Sequence, residues 1–187
     1  MTTVGVLALQ GDVREHIDIL KSLGAGTTAV KKPEHLSEID ALILPGGEST
    51  TIGKMAVRFG MIDPIRSAIN GGLPVYGTCA GMILLAGAVS DTDQPLIGAL
   101  DVVVKRNAFG RQNESFEAEL DVDGLESSFH AVFIRAPWIE KVGGEVDVLS
   151  TIEDHPVMVR QGAIMATSFH PELTGDGRIH KMLLDLI

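Results

Sequence analysis

Short apolar runs alternate with helical segments through the first half of this 187-residue sequence. Each run is followed by a turn signal, which is typical of strands buried on both faces of a parallel sheet. Between the runs, apolar residues recur at helical spacing, and Asp12 with Glu15 resembles a capping box. The predicted order is strand 4–9, helix 12–23, strand 40–44, helix 50–70 with a break at 60–64, strand 73–77 and helix 79–88. This alternation predicts a three-layer α/β/α fold around a mostly parallel sheet.

The second half has a different pattern, with short strands separated by Gly, Asp and Pro turns. The predicted strands are 97–105, 115–122, 131–134, 146–152, 157–160 and 164–169, followed by a helix from about Gly177. We expect these to add short antiparallel strands to the sheet. No linker-like segment divides the sequence, so residues 1–187 are expected to form a single domain. The chain stops at Ile187 without a helix-capping signal, and we expect a few further residues to follow.

Composition limits the classes of partner. Hydrophobic residues make up 45% and charged residues 21%, which is enough to bury a full core. The net charge of -10 argues against binding to nucleic acid or to an anionic membrane surface. The single cysteine excludes an internal disulfide and favours a reducing compartment. Because we see neither a signal peptide nor an apolar run of ~18 residues, we expect a cytoplasmic protein.

The segment Gly77-Thr78-Cys79-Ala80-Gly81 has the spacing of a nucleophile elbow with Cys in place of Ser. It lies between a predicted strand and a predicted helix, where the flanking glycines allow a sharp turn. A thiolate there is stabilised by the helix N-terminus, and the N–H of Ala80 is free to bind an oxyanion. The competing interpretation is that Cys79 is a small buried hydrophobic residue. The strand–turn–helix context favours a nucleophile.

A thiol nucleophile needs a base, and His170 is the best placed of the six histidines. It follows a predicted strand, as the cysteine turn does, and chemistry in open α/β sheets gathers at the carboxyl ends of strands. His16 and His180 fall within helices, where a polar surface role is expected. In an extended segment Glu172 faces the same way as His170 and can orient its imidazole. Taken alone, Glu172 would be interpreted as a surface carboxylate.

A glycine-rich loop, Pro45-Gly46-Gly47-Glu48-Ser49-Thr50, follows the second predicted strand of the first half. We expect the N–H of Gly47 to be a second oxyanion donor beside that of Ala80. A phosphate loop is less favoured because no Gly-Lys-Ser/Thr ending is present. Arg106 and Arg135 lie near strand ends, where either can hold a substrate carboxylate or remain a solvated charge. The spacing of histidines and acids matches no zinc or calcium site, so no metal is expected.

Three motifs resemble those of class I glutamine amidotransferase domains, which have a flavodoxin-like fold. They are Pro-Gly-Gly-Glu-Ser at 45–49, Gly-Thr-Cys-Ala-Gly at 77–81 and Phe-His-Pro-Glu at 169–172. Within that superfamily the sequence is most similar to the glutaminase subunits of pyridoxal 5'-phosphate synthases. The distinguishing stretches are 9–16, 106–112 and 134–137, so the resemblance covers the whole chain.

The resemblance implies hydrolysis of L-glutamine by Cys79, with His170 as acid and base and Glu172 as its orienting group. It implies an oxyanion hole at Gly47 and Ala80. The implied glutamine contacts are Gly47, Glu48, Ser49, Arg106, Ile134 and Arg135. The ammonia would pass to a separate synthase subunit in a hetero-oligomer, and hydrolysis would need no cofactor. We expect the partner to contact the region of Gln10, Glu15 and His16.

Two alternatives remain from the sequence. The chain could be a cysteine-elbow peptidase or redox hydrolase of the same fold, for which the 106–112 stretch and the His170-Pro-Glu ending are not expected. It could also be a non-enzymatic binding subunit, for which Cys79→Ala would change no measurable activity. The chemically competent triad positions favour the glutaminase.

Overall fold

The computed structural model describes residues 2–109 and 115–187. Its helices are α1 (Val13–Ser22), α2 (Ser49–Arg58), α3 (Ile62–Asn70), α4 (Ala80–Leu85) and α5 (Arg178–Leu184), with 3₁₀ helices at Pro33–Glu38 and Pro171–Leu173. Its strands are β1 (Thr3–Leu7), β2 (Gly26–Val30), β3 (Ala41–Leu44), β4 (Val75–Thr78), β5 (Ala86–Val89), β6 (Leu100–Lys105), β7 (Ser115–Leu120), β8 (Phe129–Ile134), β9 (Trp138–Val142), β10 (Asp147–Ile152), β11 (His155–Gln161) and β12 (Ile164–Thr167). None of these helices is long and apolar enough to cross a membrane.

The central sheet has seven strands in the order β10-β11-β12-β4-β3-β1-β2. The five strands from β12 to β2 are mutually parallel, whereas β11 pairs antiparallel with β12 and with β10. Two smaller sheets, β5-β6-β9 and β7-β8, are added by the second half of the chain. The prediction of a mostly parallel sheet with extra antiparallel strands is therefore confirmed, although β5 and β6 pair in parallel.

The strands of the sheet bury side chains on both faces. In β3, Ala41 and Ile43 join a core shared with α1, α5 and the β7-β8 hairpin. Their neighbours Leu42 and Leu44 join a second core shared with α2, α3 and α4. Because successive side chains of a strand point to opposite faces, this alternation produces the predicted three layers.

Among the strands and α-helices, three elements differ clearly from the sequence prediction. The helix expected over 79–88 ends at Leu85, because Ala86–Val89 pairs with β6 instead. β2 was not predicted, since it is an edge strand whose Gly-Thr-Thr-Ala-Val sequence carries little apolar signal. β9 was not predicted either, because only Ile139 of its five residues is fully buried.

The helix boundaries follow local chemistry with one exception. The predicted break in 50–70 is present, since α2 ends at Arg58 and Gly60 has a left-handed φ of 64°. Pro64 lies in the first turn of α3, where its missing N–H is tolerated. The predicted capping box was wrong, because Asp12 makes no side-chain cap to α1. Its carboxylate instead lies 3.4 Å from Nδ1 of His170.

Candidate active site

A cleft of about 480 Å³ lies at the carboxyl edge of the parallel strands. Its lining residues are Asp12, Gly47, Glu48, Ser49, Cys79, Ile83, Arg106, Asn107, Ile134, Arg135, His170 and Leu173. Four of the parallel strands lead directly into it, which is where open α/β sheets bind their ligands. The volume suits a small molecule. The predicted catalytic, oxyanion and glutamine-contacting residues line this cleft, except for Ala80 and Glu172, which are buried.

Cys79 sits at the turn between β4 and α4 with φ 46° and ψ -99°. A positive φ in a non-glycine residue costs about 1–3 kcal/mol and persists only where the surrounding structure holds it. The backbone is held here by the Cys79 N–H, which donates to the carbonyl of Thr167 at 2.7 Å. The side chain is 6% exposed, and its Sγ lies 3.9 Å from the carbonyl oxygen of Ile134. The strained turn is what a nucleophile elbow requires.

The two glycines of the elbow motif allow helix α4 to pack closely on the sheet. A Cβ on Gly81 would lie 2.0 Å from the carbonyl oxygen of Leu44, and one on Gly77 would lie 2.6 Å from the backbone of Gly81. Real Cβ atoms essentially never make nonbonded contacts of that length. The glycines therefore fix how closely the start of α4 approaches the strand ends.

His170 and Glu172 form a buried pair beside the cysteine turn. Nδ1 of His170 lies 2.7 Å from Oε1 of Glu172, and the two residues are 4% and 5% exposed. The prediction of extended backbone through 170–172 was wrong, because Pro171–Leu173 forms a 3₁₀ helix. That turn brings the Glu172 carboxylate back to the imidazole, so the predicted pairing is present through a different backbone geometry.

Asp12 is a second carboxylate at the same ring nitrogen, and sequence reasoning missed it. Its Oδ2 lies 3.4 Å from Nδ1 of His170, and its side chain is 35% exposed. Gly46 leaves room for this contact, since a Cβ there would lie 2.5 Å from the His170 ring and 2.8 Å from Asp12. The available signal was position, because Asp12 follows β1 at the edge where His170 follows β12.

Burial alone would lower the pKa of His170, but hydrogen bonds with Asp12, Cys79 and Glu172 outweigh it and raise that pKa to about 12. Burial raises the pKa of Glu172, and the hydrogen bond from His170 opposes that rise. The imidazolium form of His170 is therefore favoured beside the thiol at neutral pH. Asp12, His170 and Glu172 also offer three ligand atoms within 4.8 Å, a set that could hold a metal ion, although the shared hydrogen bonding accounts for their proximity.

The glycine-rich loop after β3 carries the second expected oxyanion donor. Gly47 has φ 149°, and a Cβ there would lie 2.7 Å from Oε1 of Gln10. The N–H of Glu48 donates to that same Oε1 at 2.9 Å. The carboxylate of Glu48 caps α2 by accepting from two backbone N–H groups of the first turn. Ala80 opens α4, so its N–H has no partner within the helix.

Arg106 is held from three sides at the rim of the cleft. Its Nη1 lies 3.1 Å from Oγ1 of Thr50 and 3.4 Å from Oε1 of Gln94, and its Nε donates to Asp91 at 3.4 Å. Oγ of Ser49 donates to the same Gln94 oxygen at 3.1 Å. Gln94 was not predicted from the sequence, yet it links two of the expected glutamine contacts. Its loop has no motif that would have identified it.

Ile134 and Arg135 lie in the cleft wall at the end of β8, as expected. Arg135 has φ 45°, a left-handed conformation at the strand end. Of the expected 106–112 stretch, Asn107 also lines the cleft. Residues 110–112 of that stretch lie outside the described residues.

The expected partner region divides into exposed and buried residues. Gln10 is exposed and Glu15 is partly buried, whereas His16 is 0% exposed. The expected surface positions of His16 and His180 were wrong, because both side chains lie in the core between α1, α5 and β4. The spacing of His16 with the buried Ile19 and Leu20, three and four residues later, was the signal that identifies an inward face.

Comparisons with known proteins identify the family of the chain. The model of the SNO glutamine amidotransferase family matches residues 6–187. The chain is 59% identical over 187 residues to the pyridoxal 5'-phosphate synthase subunit PdxT of Parafrankia sp., covering 98% of this chain and 92% of that protein. It is 58% identical to the protein of the same name from Frankia alni, covering 98% and 94%.

A crystal structure of a glutamine amidotransferase superposes with a TM-score of 0.94 at 55% identity, covering 98% of this chain and 97% of the other. The family match and these relatives extend over nearly the whole sequence, including the elbow, the glycine-rich loop and the His170–Glu172 segment. The chain therefore belongs to the SNO glutamine amidotransferase family.

Proposed function

We propose that this chain hydrolyses L-glutamine to L-glutamate and ammonia, and that it supplies the ammonia to a pyridoxal 5'-phosphate synthase subunit. The observation that carries the proposal is the cleft in which Cys79, on strained backbone, faces a His170 imidazole bound to Glu172 at 2.7 Å. The family membership and the relatives named as synthase subunits support the same reaction. They favour it over a peptidase, a redox hydrolase or a non-enzymatic binding subunit.

The chemistry proceeds in two halves. Sγ of Cys79 attacks the side-chain carbonyl carbon of glutamine, and the oxyanion that forms accepts hydrogen bonds from the N–H groups of Gly47 and Ala80. His170 donates its proton to the leaving nitrogen, so the C–N bond breaks and ammonia departs. A glutamyl thioester remains on Cys79. Water, deprotonated by His170, then attacks the thioester and releases glutamate, while the proton returns the catalytic pair to its starting state.

Glu172 keeps the ring of His170 in position through Nδ1, which directs Nε2 to the reacting atoms. Its negative charge also stabilises the imidazolium that donates the first proton. Every step uses side chains and backbone groups of this chain, so hydrolysis draws on no cofactor.

Substrate recognition is assigned to the walls of the cleft. The guanidinium groups of Arg106 and Arg135 are placed to pair with the α-carboxylate of glutamine. Gly47, Glu48, Ser49 and Ile134 complete the contact set. Glutamine is small enough for a cleft of about 480 Å³.

The synthase subunit is proposed to dock at the Gln10–Glu15 region. Gln10 is exposed, and its side chain holds the N–H of Glu48 beside the proposed oxyanion donor Gly47. A contact at this site can therefore reach the catalytic loop. Substituting Gln10 and Glu15 should weaken activation by the synthase, and unchanged activation would contradict this docking site.

The chain is also proposed to act as a single domain, 1–187, in the cytoplasm. The family model spans nearly all of it, and its lone cysteine suits a reducing compartment.

The central experiment measures ammonia release from glutamine by the wild type and by Cys79→Ala, each with and without a synthase subunit of a PdxT-containing system. We expect release by the wild type, stimulation by the synthase, and none above background from Cys79→Ala. Equal release from the two proteins would refute the mechanism. Trapping of the thioester on the wild type by mass spectrometry provides an independent check.

A further inference from the structure

A chain of buried polar side chains runs from α5 to the candidate active site. Nε2 of His180 lies 2.9 Å from Nδ1 of His16, and Nε2 of His16 lies 3.2 Å from Oγ1 of Thr78. The same His16 Nε2 lies 3.7 Å from Oε2 of Glu172. All four residues are at most 5% exposed. The mechanism above uses only Glu172 of these four, so the two histidines require an explanation.

The tautomers of the two histidines follow from their partners. Burial, and the neighbouring His180 and His170, hold the pKa of His16 well below its ordinary value of 6.5, and burial lowers the pKa of His180 to about 4. Both rings are therefore neutral at pH 7, with one N–H donor and one acceptor nitrogen each. Two arrangements satisfy the central contact between His16 and His180.

In the first arrangement, His180 donates from Nε2 to Nδ1 of His16, and His16 presents its Nε2–H to Thr78 and Glu172. The acceptor Nδ1 of His180 is then left without a partner among the described residues, as observed. In the second arrangement both rings are reversed. Nδ1–H of His180 becomes a buried donor without an acceptor, and a lone pair of His16 faces the carboxylate. A stranded buried donor and a lone pair facing an anion are both unfavourable, so the first arrangement is selected.

The Glu172 carboxylate has an oxygen without a hydrogen bond to the described residues at this same point. Its Oε1 binds His170, while its Oε2 is buried and has no hydrogen-bond partner in the described part of the chain. A carboxylate with one oxygen unsupported in the interior is poorly stabilised in its charged form. The Nε2–H of His16 hydrogen-bonds Thr78 at 3.2 Å and, 3.7 Å from this oxygen, directs the N–H dipole toward the carboxylate at a distance longer than a hydrogen bond.

We propose that His16 is a positioning residue for glutamine hydrolysis, which holds the Glu172 carboxylate through Nε2–H while His180 fixes its tautomer. This inference rests on the proposed function. His16 touches neither substrate nor thiol and acts only through Glu172 and Thr78, the residue preceding Cys79. Helix α1 thereby supports both carboxylates of the site, since Asp12 at its start contacts His170.

The charge state of the surroundings sets the expected pH effect. The titratable groups that face His16 and its partners are His180 on α5, Tyr76 on β4, His170 just before the 3₁₀ helix, Glu172 within that helix, and Asp12 before α1. Tyr76 is fully buried and its pKa is raised well above 10 by burial, so it stays neutral. Removing the His16 donor destabilises the Glu172 carboxylate, which in turn lowers the pKa of His170. The alkaline limb of the rate profile therefore moves to lower pH.

The test compares His16→Gln with His16→Asn. Both put an amide into the buried site, but only Gln carries an N–H as far along the side chain as Nε2 of histidine. His16→Asn reaches only the position of Nδ1 and leaves Glu172 unsupported. His130→Gln, at an exposed histidine of β8, is the matched control for losing one imidazole. Thermal unfolding of each variant checks that it is folded before its kinetics are compared.

We expect His16→Asn to lower kcat about tenfold with KM within about twofold, because the N–H dipole that faces a buried charged group is lost. His16→Gln should restore most of kcat. The His170 pKa, followed by NMR of its imidazole, should fall in the Asn variant and recover in the Gln variant. Equal kcat and equal His170 titration in the two folded variants would overturn the proposal. If neither variant folds, His180→Asn, whose amide does not reach the position of Nε2, removes the donor to Nδ1 of His16. The same two readouts apply to it, and unchanged values there would also overturn the proposal.

The two proposals fail separately. If the wild type releases no ammonia beyond Cys79→Ala, the glutaminase mechanism fails. The NMR titration of His170 needs no turnover and still decides whether His16 supports Glu172. If the wild type is active and the His16 variants match it in kcat and titration, only the positioning role is lost.

Discussion

The substitution Glu172→Gln tests how much the negative charge of the buried carboxylate contributes to catalysis, beyond holding the ring of His170. The side-chain oxygen of Gln can still accept from Nδ1, so the 2.7 Å contact can be kept while the negative charge is removed. The structure makes this substitution informative because a second carboxylate, Asp12, remains 3.4 Å from the same nitrogen. The variant therefore measures the effect of the Glu172 charge while Asp12 still places a carboxylate beside the imidazole.

The magnitude follows from the hydrogen bond. A hydrogen bond involving a charged group contributes about 1.5–3 kcal/mol, and each pKa unit corresponds to about 1.4 kcal/mol. The His170 pKa, now raised to about 12, should fall by roughly one to two units in Glu172→Gln. The same free energy lost from the transition state lowers kcat by roughly 10- to 100-fold.

The raised pKa of His170 also determines how the stability of the protein changes with pH. The folded-state pKa of His170 is raised above its ordinary value of 6.5, so its contribution to stability is fully present below about pH 6.5 and is lost as the pH rises towards 12. In Glu172→Gln that loss should begin at the same pH, which the unfolded state sets, but end at a lower pH, so the total contribution is smaller. Urea unfolding at several alkaline pH values measures this shift.

The assay is ammonia release at saturating glutamine with the synthase present, together with NMR titration of His170. Asp12→Asn is the matched control, because it removes the other carboxylate. Asp12 raises the pKa of His170 as well, and its hydrogen bond does so by more than that of Glu172. Its side chain is nevertheless 35% exposed and its carboxylate lies 3.4 Å away, so solvent screens it, and its removal should cost less than about 1 kcal/mol and reduce kcat less than about fivefold. If Asp12→Asn lowers kcat and the His170 pKa more than Glu172→Gln does, the orienting role belongs to Asp12 and the reasoning is refuted.

Two further predictions concern packing and substrate binding. Gly81→Ala should lower the free energy of unfolding by about 3 kcal/mol, because its Cβ would meet the Leu44 carbonyl at 2.0 Å. The control Gly144→Ala, with open space around it, should change the free energy of unfolding by less than about 0.5 kcal/mol. Similar chemical denaturation midpoints for the two variants would contradict the close approach of α4 to the sheet. Gln94→Leu should raise KM for glutamine about five- to tenfold with kcat within about twofold. The reason is that Arg106 loses one of its three partners and Ser49 loses its hydrogen-bond acceptor. Steady-state kinetics that show a loss in kcat alone would contradict this role.

Much of the candidate site could be derived from local patterns. The Gly77-x-Cys79-x-Gly81 spacing between a strand and a helix predicted the elbow, and the left-handed φ of Cys79 agrees with it. His170 was selected because it follows a strand, as Cys79 does. Parallel strands bring such ends to one edge whatever lies between them in sequence, which is why this inference needed no coordinates.

Other features depended on contacts that no local pattern encodes. Asp12 looked like a helix cap, but its carboxylate turns to His170 across the sheet edge. Gln94 lies in a loop without a motif, and its importance comes only from meeting Ser49 and Arg106. The end of α4 at Leu85 depends on pairing between β5 and β6, because a strand is stabilised by its neighbour as well as by its own residues.

The sequence by itself determined the alternation of strands and helices, the glycines that permit the elbow, and the chemical identities of the nucleophile, the base and its carboxylate partner. These are local properties, set by periodicity, by the absence of a side chain and by the functional groups themselves. Tertiary structure alone decided which side chains share a hydrogen bond and which are removed from water. His16 illustrates the difference: a polar residue in an amphipathic helix was expected at the surface, and packing of α1 against β4 and α5 buries it beside Glu172.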